Sequence, residues 1–182
     1  MRIIAGELGG RQFDSPHSER THPMSDKMRG AMFNVLGDIS DLHVLDAFAG
    51  TGALAFEAIS RGALSAVTIE QDRAAQSVIQ QNIASLGLAD KVTLVSAPAG
   101  SWLQTSQQAT PAPTFDLILC DPPYGDLQQN LLAQLAQRTQ QKGGIFVLSY
   151  PAVQTLPEFS NLELIQHKTY GDAQLAFYRA VS

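Results

Sequence analysis

The sequence has almost no cysteine, little charge and no long apolar run, and each shortage removes a class of protein. Cys120 is the only cysteine among 182 residues, so neither an internal disulfide framework nor a cysteine-rich zinc site can be built. No apolar run approaches the roughly 20 residues that a bilayer-spanning helix requires. The opening MRIIAGELGGRQ lacks the basic, apolar and small-residue regions of a secretory signal, and the expected location is the cytoplasm. The four histidines (His17, His22, His43, His167) show no metal-ligand spacing, and no metal is expected. Charged residues make up 16% of the chain and the formal charge is −5. That charge disfavours indiscriminate nucleic-acid binding, which relies on many phosphate contacts.

Enough apolar material is present for a continuous core, at 45% hydrophobic residues. The charge is unevenly spread. Residues 1–30 hold five basic groups (Arg2, Arg11, Arg20, Lys27, Arg29) against four acidic ones, while the rest of the chain carries seven against thirteen. Any contact with nucleic acid is therefore expected to begin in the N-terminal segment, through Arg2, Arg11, Lys27 and Arg29. Scattered solvated charge is the alternative reading of the same residues.

Residues 1–24 read as short extended pieces, Arg2–Ala5 and Arg11–Phe13, joined by a turn at Gly9-Gly10. Ser25 is a candidate helix N-cap with Asp26 in the first turn. Met28, Met32, Phe33, Val35 and Leu36 then supply a helical stripe that should stop near Gly37. From residue 42 the pattern alternates. Strands are expected at His43–Ala47, Ala66–Glu70, Val92–Val95, Asp116–Asp121 and Gly144–Ser149, with helices at about 53–61, 73–86, 98–107 and 126–141. Strand, helix, strand repeated in this way gives an α/β fold with a mainly parallel sheet covered on both faces. Leu162–Tyr170 and Leu175–Ala180 flank Gly171-Asp172 and read as a closing antiparallel hairpin. The division implied is an N-terminal extension over 1–37 and a catalytic domain over 38–182.

The densest signal is Asp46-Ala47-Phe48-Ala49-Gly50-Thr51-Gly52-Ala53-Leu54, a buried strand running through a two-glycine turn into a helix. Glycine permits a ligand to approach the backbone there. The carboxyl ends of such strands form the usual binding crevice of open α/β sheets. Glu70 ends the second strand, twenty residues beyond Gly50, and is followed by Gln71. A carboxylate at that place can accept hydrogen bonds from both hydroxyls of a ribose. Two ligands compete for this turn. A dinucleotide would set its pyrophosphate at the helix start, where Asp46 is unfavourable. S-adenosylmethionine has no phosphate and carries two cationic groups, which nearby carboxylates help.

The fourth strand leads into Asp121-Pro122-Pro123-Tyr124. Proline locks the backbone, so the carbonyls around Pro122 and Pro123 point in fixed directions. Acceptors from the Asp121 side chain and the Pro122 carbonyl, placed around an exocyclic amine, favour a tetrahedral nitrogen with its lone pair free for attack. Orientation then contributes most of the acceleration. Tyr124 would stack on the base, which must be unpaired or flipped out. A nicotinamide enzyme has no use for this tetrapeptide. Cys120, beside it, reads as a buried apolar residue.

These residues resemble the small-subunit ribosomal RNA guanine-N2 methyltransferase family. The likeness runs through Arg2-Ile3-Ile4-Ala5-Gly6 and Gly10-Arg11, then Pro23, Asp26, Arg29, Phe33 and Asn34. It continues through the glycine turn, the tetrapeptide and Tyr170-Gly171-Asp172. The resemblance implies a class I, Rossmann-like, seven-stranded sheet and S-adenosylmethionine as donor. It also implies guanine N2 of 16S rRNA as acceptor, within a small ribosomal subunit or an assembly intermediate, and a monomeric enzyme. Asp46, Phe48, Gly50, Gly52, Glu70 and Gln71 would hold the cofactor, and Asp121, Pro122, Pro123 and Tyr124 would carry catalysis. His22 and Met24 stand where the family usually has arginine and threonine. Pro98 stands where it usually has an acid or amide for the adenine. A DNA adenine-N6 or cytosine-N4 methyltransferase, and a non-catalytic RNA-binding assembly factor on the same fold, are the other readings.

Overall fold

Val44 and Leu45 are adjacent in sequence, yet they belong to different hydrophobic clusters. That is the period-two geometry of a strand buried on both faces. Here it is β1 (His43–Asp46). The computed structural model describes residues 1–17, 23–139 and 143–181. Arg20 and His22 lie outside the described residues.

Five parallel strands form first, β1 with β2 (Ser65–Glu70), β3 (Val92–Ser96), β4 (Leu117–Cys120) and β5 (Ile145–Pro151). Between them run α2 (Ala53–Ser60), α3 (Arg73–Ser85), α4 (Ala99–Ser106) and α5 (Gln129–Ala136). β6 (Leu162–Tyr170) and β7 (Ala173–Ala180) then add an antiparallel hairpin, giving the order β3-β2-β1-β4-β5-β7-β6. The expected α/β class, with its mainly parallel seven-stranded sheet, is what forms. Chain order reverses between β1 and β4, so the carboxyl ends of these two neighbours form the switch point where open α/β sheets bind ligands. No helix among the described residues is long and apolar enough to cross a membrane.

The N-terminal segment is built into this body. α1 (Asp26–Leu36) begins where the Ser25 side chain accepts from the Met28 amide at 3.1 Å, and ends at Gly37, where φ is 71°. Its Met28, Met32 and Phe33 share one cluster with Ile3, Phe13, Val44 and Phe56. The two extended pieces expected over residues 2–13 contribute a single bridge, Arg2 to Gln12, in place of strands. Around that bridge the Ile3 amide donates to the Arg11 carbonyl at 2.9 Å and the Phe13 amide to the Met1 carbonyl at 3.0 Å, and the chain between turns to α2. Glu57, wholly buried, accepts from the amides of Ile4 at 2.8 Å and Ala5 at 3.1 Å. Ser60 donates to the Ala5 carbonyl and accepts from the Leu8 amide. Gly6 passes so close that a Cβ there would overlap the Ser60 carbonyl, and its φ of 84° also favours glycine.

α5 is shorter than the 126–141 expected from apolar spacing. Asp126 closes a turn onto the Pro123 carbonyl at 3.0 Å, and Gln128 has φ 45°. Past Ala136, the chain leaves the helix so that the Arg138 carbonyl can take the Phe115 amide at 2.9 Å. Arg138 itself is buried, lies over the Trp102 ring and donates to the carbonyls of Leu103 and Pro113. This ties the ends of α4 and α5 to the base of β4.

Candidate active site

Every parallel strand delivers its carboxyl end to one edge of the sheet, and three carboxylates arrive there. Asp46 closes β1, Glu70 closes β2 and Asp121 follows β4. Asp46 is wholly buried. Its Oδ2 lies 3.4 Å from the Thr68 hydroxyl, while its Oδ1 has no partner. Burial pushes its pKa up from 3.8 to about 7, and the charges of Asp121 and Glu70 add to the rise. Burial likewise raises Asp121 to about 6, against an opposing hydrogen bond from Ser149. Cys120, buried between these acids, has its thiol held up by burial first and by both aspartates next. It is an inert neighbour of the site.

The glycine turn lies under these groups. Glu70 braces it through Oε2, which accepts from the Gly50 amide at 2.7 Å, while Oε1 accepts from the Asp72 amide at the start of α3 at 2.8 Å. Gln76 donates to the Glu70 carbonyl at 2.8 Å and fixes the strand end. Gly52 is the N-cap of α2 with φ 82°, and a Cβ there would meet the Phe56 ring at 2.8 Å. The N-cap Gly52 offers no side chain to α2; the Thr51 hydroxyl takes the Ala53 amide at 3.3 Å, and the Ala55 backbone amide is hydrogen-bonded to Asp46. Phe48 is half-buried and packs on the α4–α5 side of the sheet, and Gln71 is exposed beside Glu70.

The donor set suits a nucleoside bearing positive charge. The Asp46 Oδ1 is a buried acceptor without a hydrogen-bond partner, a costly arrangement that a cationic amine would relieve. Each Glu70 oxygen holds one amide and keeps a second lone pair for a ribose hydroxyl. A pyrophosphate would instead meet three acids. Pro98 begins α4 as an N-cap without a side-chain hydrogen bond, so only backbone groups are offered at that point. Among the described residues no cluster of His, Cys, Asp or Glu has the makings of a metal site.

Around Asp121 the proline pair acts as expected of a rigid turn. Pro122 is buried, Pro123 is exposed, and Tyr124 stands partly out of the surface at 38% exposure. The Tyr124 hydroxyl lies 2.9 Å from the Ser149 hydroxyl of β5. Burial raises the Tyr124 phenol, which remains a neutral donor. Ser149 was not among the site residues expected from sequence. Its signal was a lone serine in the buried run Ile145–Pro151.

The basic residues expected to meet RNA separate into different groups. Lys27 is exposed and Arg2 is exposed in an ion pair with Asp26 at 3.1 Å. Arg11 donates to the Ser85 and Leu86 carbonyls, where it complements the end of α3. Arg29 requires a correction. It is 1% exposed, donates to the Arg2 carbonyl at 2.7 Å and lies 3.8 Å from Glu57. A guanidinium so enclosed holds the N-terminal segment and cannot present itself to RNA.

Residues 1–179 match the family described as Conserved hypothetical protein 95. Over 125 residues the chain is 39% identical to Ribosomal RNA small subunit methyltransferase D of Escherichia coli (strain K12), a stretch that covers 68% of this chain and 60% of that relative. It is 29% identical to Putative rRNA methyltransferase YlbH of Bacillus subtilis (strain 168) over 98% of both chains. The solved structure of putative methyltransferase yhhF from Escherichia coli superposes with a TM-score of 0.85 at 30% identity, covering 99% of this chain and 97% of that one.

Proposed function

The chain belongs to the family described as Conserved hypothetical protein 95, and on that premise we propose that it methylates small-subunit ribosomal RNA, at the exocyclic N2 amine of a guanine, with S-adenosylmethionine as donor. The observation that carries the reading is the placement of Asp121-Pro122-Pro123-Tyr124 at the end of β4, beside the Asp46 carboxylate at the end of β1, whose Oδ1 has no partner. When bound, S-adenosylmethionine supplies a methyl group already activated on a sulfonium. Asp46 and Glu70 hold the cationic and ribose portions, and the Gly50–Gly52 turn leaves room for them.

An exocyclic amine is a weak nucleophile because its lone pair is delocalised into the ring. Asp121 and the Pro122 carbonyl accept its two hydrogens and so favour a tetrahedral nitrogen. Tyr124 supplies a face for the base, a contact worth about 1–3 kcal/mol where aromatic rings stack on single-stranded bases. Asp121 accepts most strongly as the carboxylate, and its pKa of about 6 leaves it mostly ionised at neutral pH. It is also placed to take the proton the amine must lose.

The substrate on this reading is 16S rRNA in a small subunit or an assembly intermediate, met by a monomeric enzyme in the cytoplasm. Lys27 and Arg2 mark the N-terminal surface of residues 1–37 as the RNA-facing side, with residues 38–182 as the catalytic part. The test is transfer of labelled methyl from S-adenosylmethionine to small subunits from a strain lacking the protein, followed by nucleoside digestion. Labelled N2-methylguanosine, lost with Asp121→Ala, supports both reaction and site. A methylated adenine or cytosine overturns the guanine assignment. Cofactor binding without transfer to subunits, free rRNA or DNA leaves a non-catalytic assembly factor.

A further inference from the structure

We infer that Ser149 is a positioning residue for the acceptor site, its single hydroxyl joining the Asp121 carboxylate to the Tyr124 phenol so that acceptor and stacking face are held in fixed relation. The inference rests on the methyl-transfer reading above.

Ser149 is 1% exposed in β5, between the buried Leu148 and Tyr150. A hydroxyl in such a strand is unfavourable unless it is hydrogen-bonded. β4 and β5 pair in parallel with Cys120 opposite Leu148, so the next residues along, Asp121 and Ser149, stand side by side. The Ser149 hydroxyl lies 2.9 Å from the Tyr124 hydroxyl and beside the Asp121 carboxylate, which it favours in the ionised form. The direction of this chain follows from proton count. An ionised carboxylate only accepts, and serine has one proton to give. Ser149 therefore donates to Asp121, and its oxygen accepts the proton of Tyr124.

The consequence is mechanical. Tyr124 is partly exposed on a short loop, and its hydroxyl bond anchors the far end of the ring to a sheet strand. Asp121 loses one lone pair to Ser149 and keeps the others for the amine. The remaining charges around Asp121 do not substitute for this bond. Asp46 on β1 is another acid, Tyr124 is neutral, and Asp172 in the β6–β7 turn faces Tyr124 with further negative charge.

The test compares wild type with Ser149→Ala, Ser149→Thr, Tyr124→Phe and the Ser149→Ala/Tyr124→Phe pair. Methyl transfer is followed against pH, and the Asp121 carboxyl is titrated by carbon-13 NMR without substrate, its signal assigned by loss in Asp121→Asn. Ser149→Ala is expected to lower kcat about tenfold, the cost of one hydrogen bond to a charged group, with cofactor affinity unchanged. Its acid limb should move to higher pH, because the lost bond favoured the ionised carboxylate. Tyr124→Phe should shift the same way by less, the double variant should be no worse than Ser149→Ala, and Ser149→Thr should restore the wild-type profile. An unchanged Asp121 titration in a folded Ser149→Ala protein, or strictly additive losses in the double variant, would overturn the inference. If wild type transfers no methyl, the methyl-transfer reading fails separately and the NMR titration alone decides the role of Ser149.

Discussion

Asp46 and Asp121 occupy the ends of neighbouring parallel strands, and the charge of Asp121 makes Asp46 harder to ionise. In the free protein Asp46 titrates at about 7, so part of it is protonated at pH 6.5. A bound cation favours the carboxylate, and the proton must leave. Binding of S-adenosylmethionine should therefore release protons at pH 6.5 and almost none at pH 8.5. Calorimetry in two buffers of different ionisation enthalpy measures this directly. Identical heats in both buffers at pH 6.5 would mean that Asp46 does not meet the cofactor's positive charge.

The same carboxylate weakens the fold. Its folded pKa of about 7 lies above the ordinary 3.8, so between these values the folded chain binds more protons than the unfolded one. Stability from this group is full below about pH 4 and is lost as pH rises through 7. Asp46→Asn removes the penalty. At pH 8 the variant should resist urea better by on the order of a few kcal/mol, and the gain should shrink toward pH 5. Its affinity for S-adenosylmethionine should collapse. A binding acid kept at the expense of stability is a common pattern in functional sites.

The sheet was legible in the sequence because buried parallel strands are short apolar runs ended by punctuating residues. The β6 bounds, Leu162–Tyr170, agree to the residue, since the turn at Gly171-Asp172 marks one end. α5 was over-extended because Gln137-Arg138-Thr139-Gln140-Gln141 holds no glycine or proline to stop a helix, while the backbone is drawn into a bridge with Phe115. Tertiary pairing of that kind leaves no local trace. Arg29 was misread for a different reason. It lies three and four residues before Met32 and Phe33, on the buried stripe of α1. Its charge drew attention from a position that the periodicity already assigned to the interior. Ser149 needed the register of β4 with β5, which no single segment contains.

Glu57 explains why a buried arginine is tolerated there. It accepts the Ile4 and Ala5 amides, pairs with Arg61 at 2.8 Å and lies 3.8 Å from Arg29. Glu57→Ala leaves the Ile4 and Ala5 amides without their acceptor, breaks the pair with Arg61 and removes the anion beside the buried Arg29. The expected loss is about 3–5 kcal/mol, as for other buried pairs broken on one side. Glu57→Gln, which keeps an acceptor but not the charge, should lose less. Urea unfolding gives the magnitude, and hydrogen exchange at Ile4 and Ala5 shows whether the N-terminal segment opens first. Exchange at those amides no faster than in wild type would show that the segment is held by its apolar residues alone.

Lys27 and Arg29 are two residues apart on α1 and should answer differently when each becomes alanine. Lys27 is exposed, and a phosphate contact there releases counterions on binding. Lys27→Ala should weaken rRNA binding without preference for sequence and flatten the plot of log affinity against log salt by about one contact's worth. Its melting temperature should equal that of wild type. Arg29→Ala should do the reverse. Arg29 donates to the Arg2 carbonyl and to Asp26, so its loss frees the N-terminal segment and leaves Glu57 with one cation fewer. Stability should fall, and the salt slope of whatever folds should stay that of wild type. Filter binding across a salt series, beside a thermal melt, separates the two. A normal slope for Lys27→Ala would move the RNA contact off α1, to the exposed Arg2 or to residues that carry no positive charge.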